Sequence, residues 1–169
     1  MTEQRMESIG AICAQLTGAA LPRWEELPEL ELYMDQVLSL VGRYLEGYPG
    51  FDKKGLTASM VNNYVKQGVL TPPKKKRYHR THLAQLLVIC LLKASLPIAA
   101  IRPLTAGAEP PEAQRAFYER FRGFFEETNR RVAAAYEGSD GETADMVCRA
   151  ALRAQAEEAL AVRLCAAIQ

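Results

Sequence analysis

The chain has 169 residues, of which 49% are hydrophobic and 24% are charged. That length is typical of one compact domain, or of two small ones sharing a helix, and it is enough to bury a sizeable core. The longest apolar run, at residues 86–92, is far shorter than the roughly 20 residues that a membrane-spanning helix needs. We therefore expect a soluble protein.

The cysteines and the N-terminal segment indicate a cytoplasmic protein. No two cysteines have C-x-x-C spacing, and each lies among apolar or alanine-rich neighbours, which predicts buried free thiols: Cys13, Cys90, Cys148 and Cys165. The only candidate targeting segment is residues 9–21, and it follows two glutamates and one arginine. A secretory signal peptide should begin with a positive charge, so we expect none here.

Charge is segregated along the chain. The net charge is −6 over residues 1–52, +10 over residues 53–108 and −3 over residues 109–169. The middle segment contains no aspartate or glutamate. A solvated surface normally mixes both signs, so a polyanionic partner explains this segment better. The alternative is that its cations are simply solvated, or dock onto the acidic flanks of the same chain.

A first amphipathic helix is predicted ahead of the basic segment, because apolar residues recur there at helical spacing. They are Leu30, Tyr33, Met34, Val37, Leu38, Val41, Tyr44 and Leu45. This helix would support the next one. Between the two, the sequence FDKKG at 51–55 predicts an unusually long turn, with Lys53 and Lys54 placed to contact the backbone of a duplex.

Residues 59–67 predict a short second helix with two distinct faces. One side of its helical wheel is apolar and the other is polar. The apolar side holds Met60, Val61, Tyr64 and Val65, and the polar side holds Ser59, Asn62, Asn63, Lys66 and Gln67. Thr57 is a natural N-cap, and Gly68 suits the left-handed position that ends a helix.

The polar face has the composition of a recognition helix. Two adjacent asparagines are unusual on a merely solvated helix, where glutamate, lysine and alanine are favoured. An amide side chain donates and accepts together, as adenine requires in the major groove, while serine and lysine bind phosphate. The alternative is that Asn62 and Asn63 satisfy local backbone groups.

The rest of the middle segment predicts a basic stretch and two helices. The sequence PPKKKRYHR at 72–80 carries the densest run of cations. A helix from Thr81 or His82 to about Ala94 is apolar on almost every side and should be central. Pro97 then fits the first turn of a short helix that Pro103 ends, and AGAEPP at 106–111 reads as a boundary.

Residues 28–105 resemble the DNA-binding domain of MerR-type transcription regulators. The chain is more similar still to an uncharacterised bacterial family related to them, through ELYMDQV, MVNNYVKQG and PPKKKRY. Residue types fit the MerR pattern at Thr57, Tyr64, Gly68, Val69, Leu70, Pro72, residues 74–77, Tyr78, Leu83, Leu86, Ile89 and Ile101. The resemblance implies an all-α fold with a winged helix-turn-helix, double-stranded DNA as the partner, and no cofactor.

The chain departs from that pattern at three places. No glycine lies between Pro73 and Tyr78, where such wings usually turn on one. His79 and His82 replace the usual serine and acidic residue at the start of the next helix, and an asparagine replaces the arginine beside the recognition-helix tyrosine. These changes bear on base specificity more than on the class of partner.

The predicted nucleic-acid contacts come from the turn, the second helix and the basic stretch. They are Lys53, Lys54, Thr57, Ser59, Asn62, Asn63, Tyr64, Lys66, Gln67, Lys74, Lys75, Lys76, Arg77, Tyr78, His79 and Arg80. Of these, we expect Ser59, Asn62, Asn63 and Lys66 to enter the major groove. The cations from Lys74 to Arg80, together with Tyr78, would follow the flanking backbone.

The remaining residues are assigned by position. We divide the chain into an N-terminal segment at 1–27, the DNA-binding domain at 28–105 and a C-terminal helical region at 106–169. The last region predicts two antiparallel helices, the first with an apolar stripe from Phe117 to Ala135 and the second from about Thr143 to Ile168. They either cap the core or form a homodimer interface at Phe117, Phe121 and Phe124.

No sequence pattern predicts an enzyme. His79 and His82 lie three residues apart but have no nearby cysteine or acidic residue to complete a metal site, so we expect none. Phosphate-binding loops and nucleophile motifs are not found in the sequence. The expected function is therefore that of a DNA-binding regulator. The alternative is a non-enzymatic module that binds RNA or an acidic protein partner through the same basic stretch.

Overall fold

The computed structural model describes residues 3–48, 55–105, 111–138 and 142–168. Within these ranges seven α-helices follow one another: α1 (Glu3–Gly18), α2 (Met34–Tyr44), α3 (Ala58–Lys66), α4 (Arg80–Leu92), α5 (Ile98–Thr105), α6 (Pro111–Tyr136) and α7 (Thr143–Ala167). A short 3-10 helix, Trp24–Glu26, lies between α1 and α2. The described residues contain isolated β-bridges but no strand, so the all-α prediction is confirmed.

Helix α4 forms the centre of the core. Leu83, Leu86, Leu87 and Ile89 are fully buried, and the helix packs against α2, α5 and α6. The prediction that it is central is confirmed, because a helix that is apolar all round can only be stable when it is covered on every side. Each of these side chains contributes about 1.5 to 3 kcal/mol by leaving water.

The N-terminal segment is held against α6 along its length. Helix α1 packs on α6, and the Cys13 thiol donates to the Ala133 carbonyl over 3.6 Å. Nearer α2, the Tyr118 hydroxyl donates to the Pro22 carbonyl over 2.8 Å, and the Trp24 N–H donates to the Glu119 carboxylate over 2.7 Å. These contacts join residues that are far apart in sequence, and they fix the segment from α1 to the 3-10 helix against α6.

Two features of the predicted helix boundaries are wrong. Leu30 and Tyr33 precede α2 and are 77% and 52% exposed, because the apolar spacing continues for one turn beyond the start of the helix. Pro103 does not end α5, which continues to Thr105. Its side chain is tolerated near the end of this short helix, where few backbone hydrogen bonds remain to be lost.

The last two helices do not pack as a simple pair. Helix α6 lies on α1 and α4, whereas the principal packing of α7 is on α5. Only the end of α7 joins the core, at Ala161 and Cys165, and nearly all of its other residues are exposed. All four cysteines are free, and Cys148 on α7 is exposed, contrary to the prediction that each is buried.

None of the helices in the described part of the chain has both the length and the apolarity required to cross a membrane. The boundary predicted at 106–111 lies outside the described residues except for Pro111, which begins α6.

Candidate functional site

Helix α3 forms as its local sequence predicts. The Met60 N–H donates to the Thr57 side-chain oxygen over 3.2 Å, which caps the first turn. Gly68, just past the helix, has a φ of +68°, a conformation that costs glycine little and other residues more. Both predictions about the ends of the helix are confirmed. Thr57 therefore orients the helix through its cap.

The two faces of α3 are also as predicted. Val61 and Tyr64 are buried, with Met60 and Val65 packed beside them. The opposite face is exposed and holds Ser59, Asn62, Asn63, Lys66 and Gln67. Tyr64, predicted as a contact, is 3% exposed, and burial raises the pKa of its phenol to about 12. Its side chain therefore positions the helix from within the core.

Arg102 on α5 lies beside the end of α3. A Cβ added at Gly68 would lie 3.6 Å from its Nε atom. The side chain is exposed, and a cation near the C-terminus of a helix is favourable for the helix dipole. Arg102 is one of the ten cations of residues 53–108, and no sequence motif predicts a role for it. The acid-free composition of the segment was the only signal that could have drawn attention to it.

Residues 74–77 form a tight turn. The Arg77 N–H donates to the Lys74 carbonyl over 2.9 Å, and the two central residues, Lys75 and Lys76, have φ values of +50° and +61°. Positive φ at both central positions defines a type I′ turn, which favours Asn-Gly. The chain thus turns without the glycine usual in MerR wings, at a cost of about 1 kcal/mol for each left-handed lysine.

The base of this turn is fixed on both sides. Tyr78 exchanges two backbone hydrogen bonds with Leu32, of 2.8 and 2.9 Å, and its side chain is 3% exposed. On the other side, Gln85 accepts from the Thr71 N–H and donates to the Thr71 hydroxyl. Tyr78, also predicted as a contact, is therefore an anchor in the core. The turn at 74–77 is therefore held by fixed contacts on both sides, at Thr71 and at Tyr78.

No carboxylate of the described residues pairs with the three lysines of the turn. Lys74, Lys75 and Lys76 are exposed, and within the part of the chain that the structure describes no acidic group lies within 4.0 Å of them. For these side chains, docking onto the acidic flanks does not occur among the described residues. They remain available to a polyanion.

Arg77 and His79, by contrast, approach the acidic N-terminal flank. The Arg77 guanidinium carbon lies 3.6 Å from the centroid of the Tyr33 ring. Glu31 has one carboxylate oxygen 4.0 Å from Arg77 Nε and the other 4.0 Å from His79 Nε2. Such distances give a weak, exposed electrostatic contact. These two residues are partly engaged and remain reachable.

Arg80 is more firmly held. Its Nε donates to the Leu27 carbonyl over 2.8 Å, and an Nη atom lies 3.2 Å from Glu29. Only 17% of the side chain is exposed. Arg80 therefore ties the segment before α2 to the start of α4, and of the predicted backbone contacts it is the cation least available to a partner.

His82 is buried beneath the turn. Its Nδ1 accepts the His79 N–H over 2.9 Å, and its ring packs edge-on against Tyr78. Burial lowers the pKa of the imidazole, although nearby backbone groups of Pro72 and His79 act in the opposite direction. Among the residues whose positions are described, no three histidine, cysteine, aspartate or glutamate side chains are grouped to hold a metal ion.

The other predicted site residues are separated from this surface or cannot be placed. Lys53 and Lys54 lie outside the described residues. Phe117 and Phe121 stack on each other and pack against the core of their own chain, whereas Phe124 is 67% exposed. Of the three residues proposed as a dimer interface, Phe124 is thus the one left largely open.

Comparison with known proteins finds a match to a family model. A family model described as a domain of unknown function, DUF1836, matches residues 22–121. The matched region begins at Pro22 and ends at Phe121, so it includes the α3 face, the turn at 74–77 and the Tyr118–Pro22 hydrogen bond. No curated protein and no solved structure is significantly similar to the chain.

Proposed function

Since the chain belongs to the DUF1836 family, whose description assigns no activity, we propose from the geometry of the site that it is a DNA-binding transcriptional regulator. In this proposal α2 and α3 act as a MerR-like helix-turn-helix, and the exposed face of α3 enters the major groove. The turn at 74–77 serves as a short wing on the phosphate backbone. Helix α2 ends at Tyr44 and α3 begins at Ala58, a wider separation along the chain than the usual three or four residues of this motif.

The observation that carries the proposal is the chemistry of the α3 face. Asn62, Asn63 and Gln67 present amides to solvent, next to Ser59 and Lys66. Asparagine and glutamine can meet adenine with two hydrogen bonds, and each such pair is worth about 1 to 3 kcal/mol of base discrimination. A purely solvated helix gains nothing from this choice, because asparagine is a poor helix former.

The turn supplies the second half of the argument. Its central lysines keep a strained backbone that Asn-Gly would relieve. Strain of this kind is retained at functional positions when the side chain is required. Three adjacent exposed ammonium groups on a fixed base suit the phosphate backbone, whose contacts position a protein on a duplex without reading its sequence.

Dimerisation is part of the proposal, because two-fold symmetry doubles the contacts on a palindromic site. Besides Phe124, the exposed large apolar side chains of α7 could contribute; they are Val147, Leu152, Leu160, Val162 and Leu164. Sedimentation of the free protein and of its complex gives the number of copies per duplex.

An acidic protein partner is the second candidate, and one observation favours it. Glu29 and Glu31 show that carboxylates already approach Arg80, Arg77 and His79 within this chain. A partner with several carboxylates could extend the same contacts to the lysines. RNA is the other alternative partner, and both RNA and an acidic peptide are tested as competitors of duplex DNA.

Fluorescence anisotropy on duplexes selected from genomic DNA tests the proposal. We expect the preference for the selected site over random duplex to fall at least about tenfold in Asn62→Ala/Asn63→Ala. The exposed Gln155→Ala on α7 is the matched control and should behave as the parent protein. Binding that is indifferent to sequence and to the two asparagines, or stronger to an acidic peptide or RNA, would refute DNA readout.

A further inference from the structure

A cavity of about 400 Å³ lies between the end of α4, the middle of α6 and the residue that follows the turn after α2. Leu91 and Leu92 come from α4, and Phe121, Phe124 and Phe125 come from α6. Tyr48 closes the third side, with its ring centroid 4.9 Å from that of Phe125. This volume is in the range of small-molecule sites.

The inner end of the cavity is polar. Asn129 is 5% exposed, and its side-chain oxygen accepts a long hydrogen bond of 3.4 Å from the Tyr48 hydroxyl. Its side-chain nitrogen has no hydrogen-bond partner among the described residues. Buried amide groups are normally paired, so this unpaired N–H is a second observation at the cavity, independent of its shape.

None of the described residues that line the cavity has a charged side chain. Burial raises the pKa of the Tyr48 phenol, with the hydrogen bond to Asn129 acting in the opposite direction, so the hydroxyl is neutral at physiological pH. Ser95 and Thr128 add hydroxyl groups near the opening. A charged ligand would therefore lose its hydration without gaining an opposite charge.

We propose that this cavity binds a small, neutral, flat aromatic molecule that bears a carbonyl or a similar acceptor. The ring lies among Phe121, Phe125 and Tyr48, where aromatic faces and edges pack at favourable distances. The acceptor points toward Asn129 and takes its unpaired N–H. The Tyr48 hydroxyl bonds to the side-chain oxygen of Asn129, so that hydrogen bond can remain when the ligand accepts the N–H.

The site is separate from the surface proposed to bind DNA. It lies at the Leu92 end of α4, while the turn at 74–77 adjoins the Arg80 end of the same helix. Ligand binding is therefore tested by itself, without DNA. Phe124 lines the cavity and is also a candidate dimer contact, but no residue of the cavity belongs to the surface proposed to bind DNA, so the failure of ligand binding leaves the proposed DNA contacts unaffected.

The test uses prodan, a neutral aminonaphthalene ketone whose emission shifts to the blue in an apolar site. We expect one saturable site on the full chain. Ser95→Trp should weaken binding at least about tenfold because an indole at the opening occupies the cavity. Ser95 is exposed, so the fold should tolerate the change, and the matched control Ala134→Trp, exposed on α6 outside the lining, should bind as the parent does.

A second compound tests the polar end. The same naphthalene with a propyl group in place of the ketone should bind the parent protein several-fold more weakly, and Asn129→Leu should abolish that difference. Equal binding of both compounds to the parent protein would overturn the proposal. So would no saturable binding of either, unchanged binding in Ser95→Trp, or a change of oligomeric state in Ser95→Trp, which would assign the cavity to a second copy of the chain.

Discussion

The guanidinium of Arg77 lies 3.6 Å above the ring of Tyr33, and this contact holds the side chain of the turn against the segment before α2. The backbone of Leu32 pairs with that of Tyr78, and this pairing brings the adjacent residues Tyr33 and Arg77 side by side. Glu31 lies at the edge of the same arrangement, 4.0 Å from Arg77. A phosphate group could replace Glu31 while the stacking on Tyr33 remains.

Glu31→Gln should therefore raise the affinity for duplex DNA. The carboxylate competes with phosphate for Arg77 and His79, and an exposed ion pair is worth up to about 1 kcal/mol, which corresponds to an increase of about twofold to fivefold. Anisotropy titrations at low and physiological salt measure it. Glu46→Gln removes the same charge from another exposed site, and an equal increase in that variant would show that only net charge matters.

Lys75→Asn/Lys76→Gly should make the protein more stable and its DNA binding weaker. Asn-Gly relieves the left-handed strain, which adds about 1 to 2 kcal/mol to the free energy of unfolding. Two fewer cations should reduce the salt slope of log K by about 2. Urea unfolding and a salt series of anisotropy titrations measure the two effects.

The control for that variant is Lys75→Gln/Lys76→Gln. It removes the same charges but leaves both positions with a long side chain on a left-handed backbone, so the strain remains. It should lose the same affinity without gaining stability. Unchanged affinity in both variants would show that the turn does not contact the duplex.

The ends of α3 could be predicted from the sequence because the interactions that form them are local. Thr57, Gly68 and the alternation of apolar and polar residues lie within a dozen positions, and each acts through its nearest turn. The same holds for α4, whose apolar residues leave no face for solvent. Spacing is sufficient for these two helices, but it wrongly extends α2, which begins at Met34, back to Leu30 and Tyr33.

The docking of Arg77 and Arg80 could not be predicted in the same way. It depends on the pairing of Leu32 with Tyr78, residues 46 positions apart, which no periodicity encodes. The spacing of Tyr33 fitted the first helix, yet the residue precedes it and supports Arg77 instead. Arg77 and Arg80 are therefore less available to a partner than the three lysines at 74–76 in the same run.

Gly68→Ala should destabilise the protein by about 1 kcal/mol or more. The position has a φ of +68°, which strains any residue with a Cβ, whereas the distance of 3.6 Å from that Cβ to Arg102 Nε is an ordinary contact. Gly42→Ala is the matched control, because Gly42 lies within α2 and a Cβ there meets nothing within 4 Å. That change should add about 0.5 to 1 kcal/mol through helix propensity. Thermal and urea unfolding measure both changes. A gain of stability in Gly68→Ala together with a loss in Gly42→Ala would contradict this account.

The stability of the protein should fall as the pH is lowered below about 6.5, because His82 is buried as the neutral imidazole. The pKa of His82 is lowered in the folded state, so the unfolded chain takes up its proton first. The free energy of unfolding then decreases until the pH reaches the folded pKa. Protonation would also remove the acceptor that Nδ1 offers to the His79 N–H.

His82→Asn should flatten this dependence, since the asparagine oxygen can replace Nδ1 as an acceptor and does not titrate. Urea unfolding at several pH values between about 7.5 and 5.5 measures the slope, in a window above the ordinary carboxyl range. The chain has two histidines, so His79→Gln is the natural control, and it should keep most of the slope because burial is the largest cause of the lowered pKa of His82. A slope that persists unchanged in His82→Asn would contradict this account.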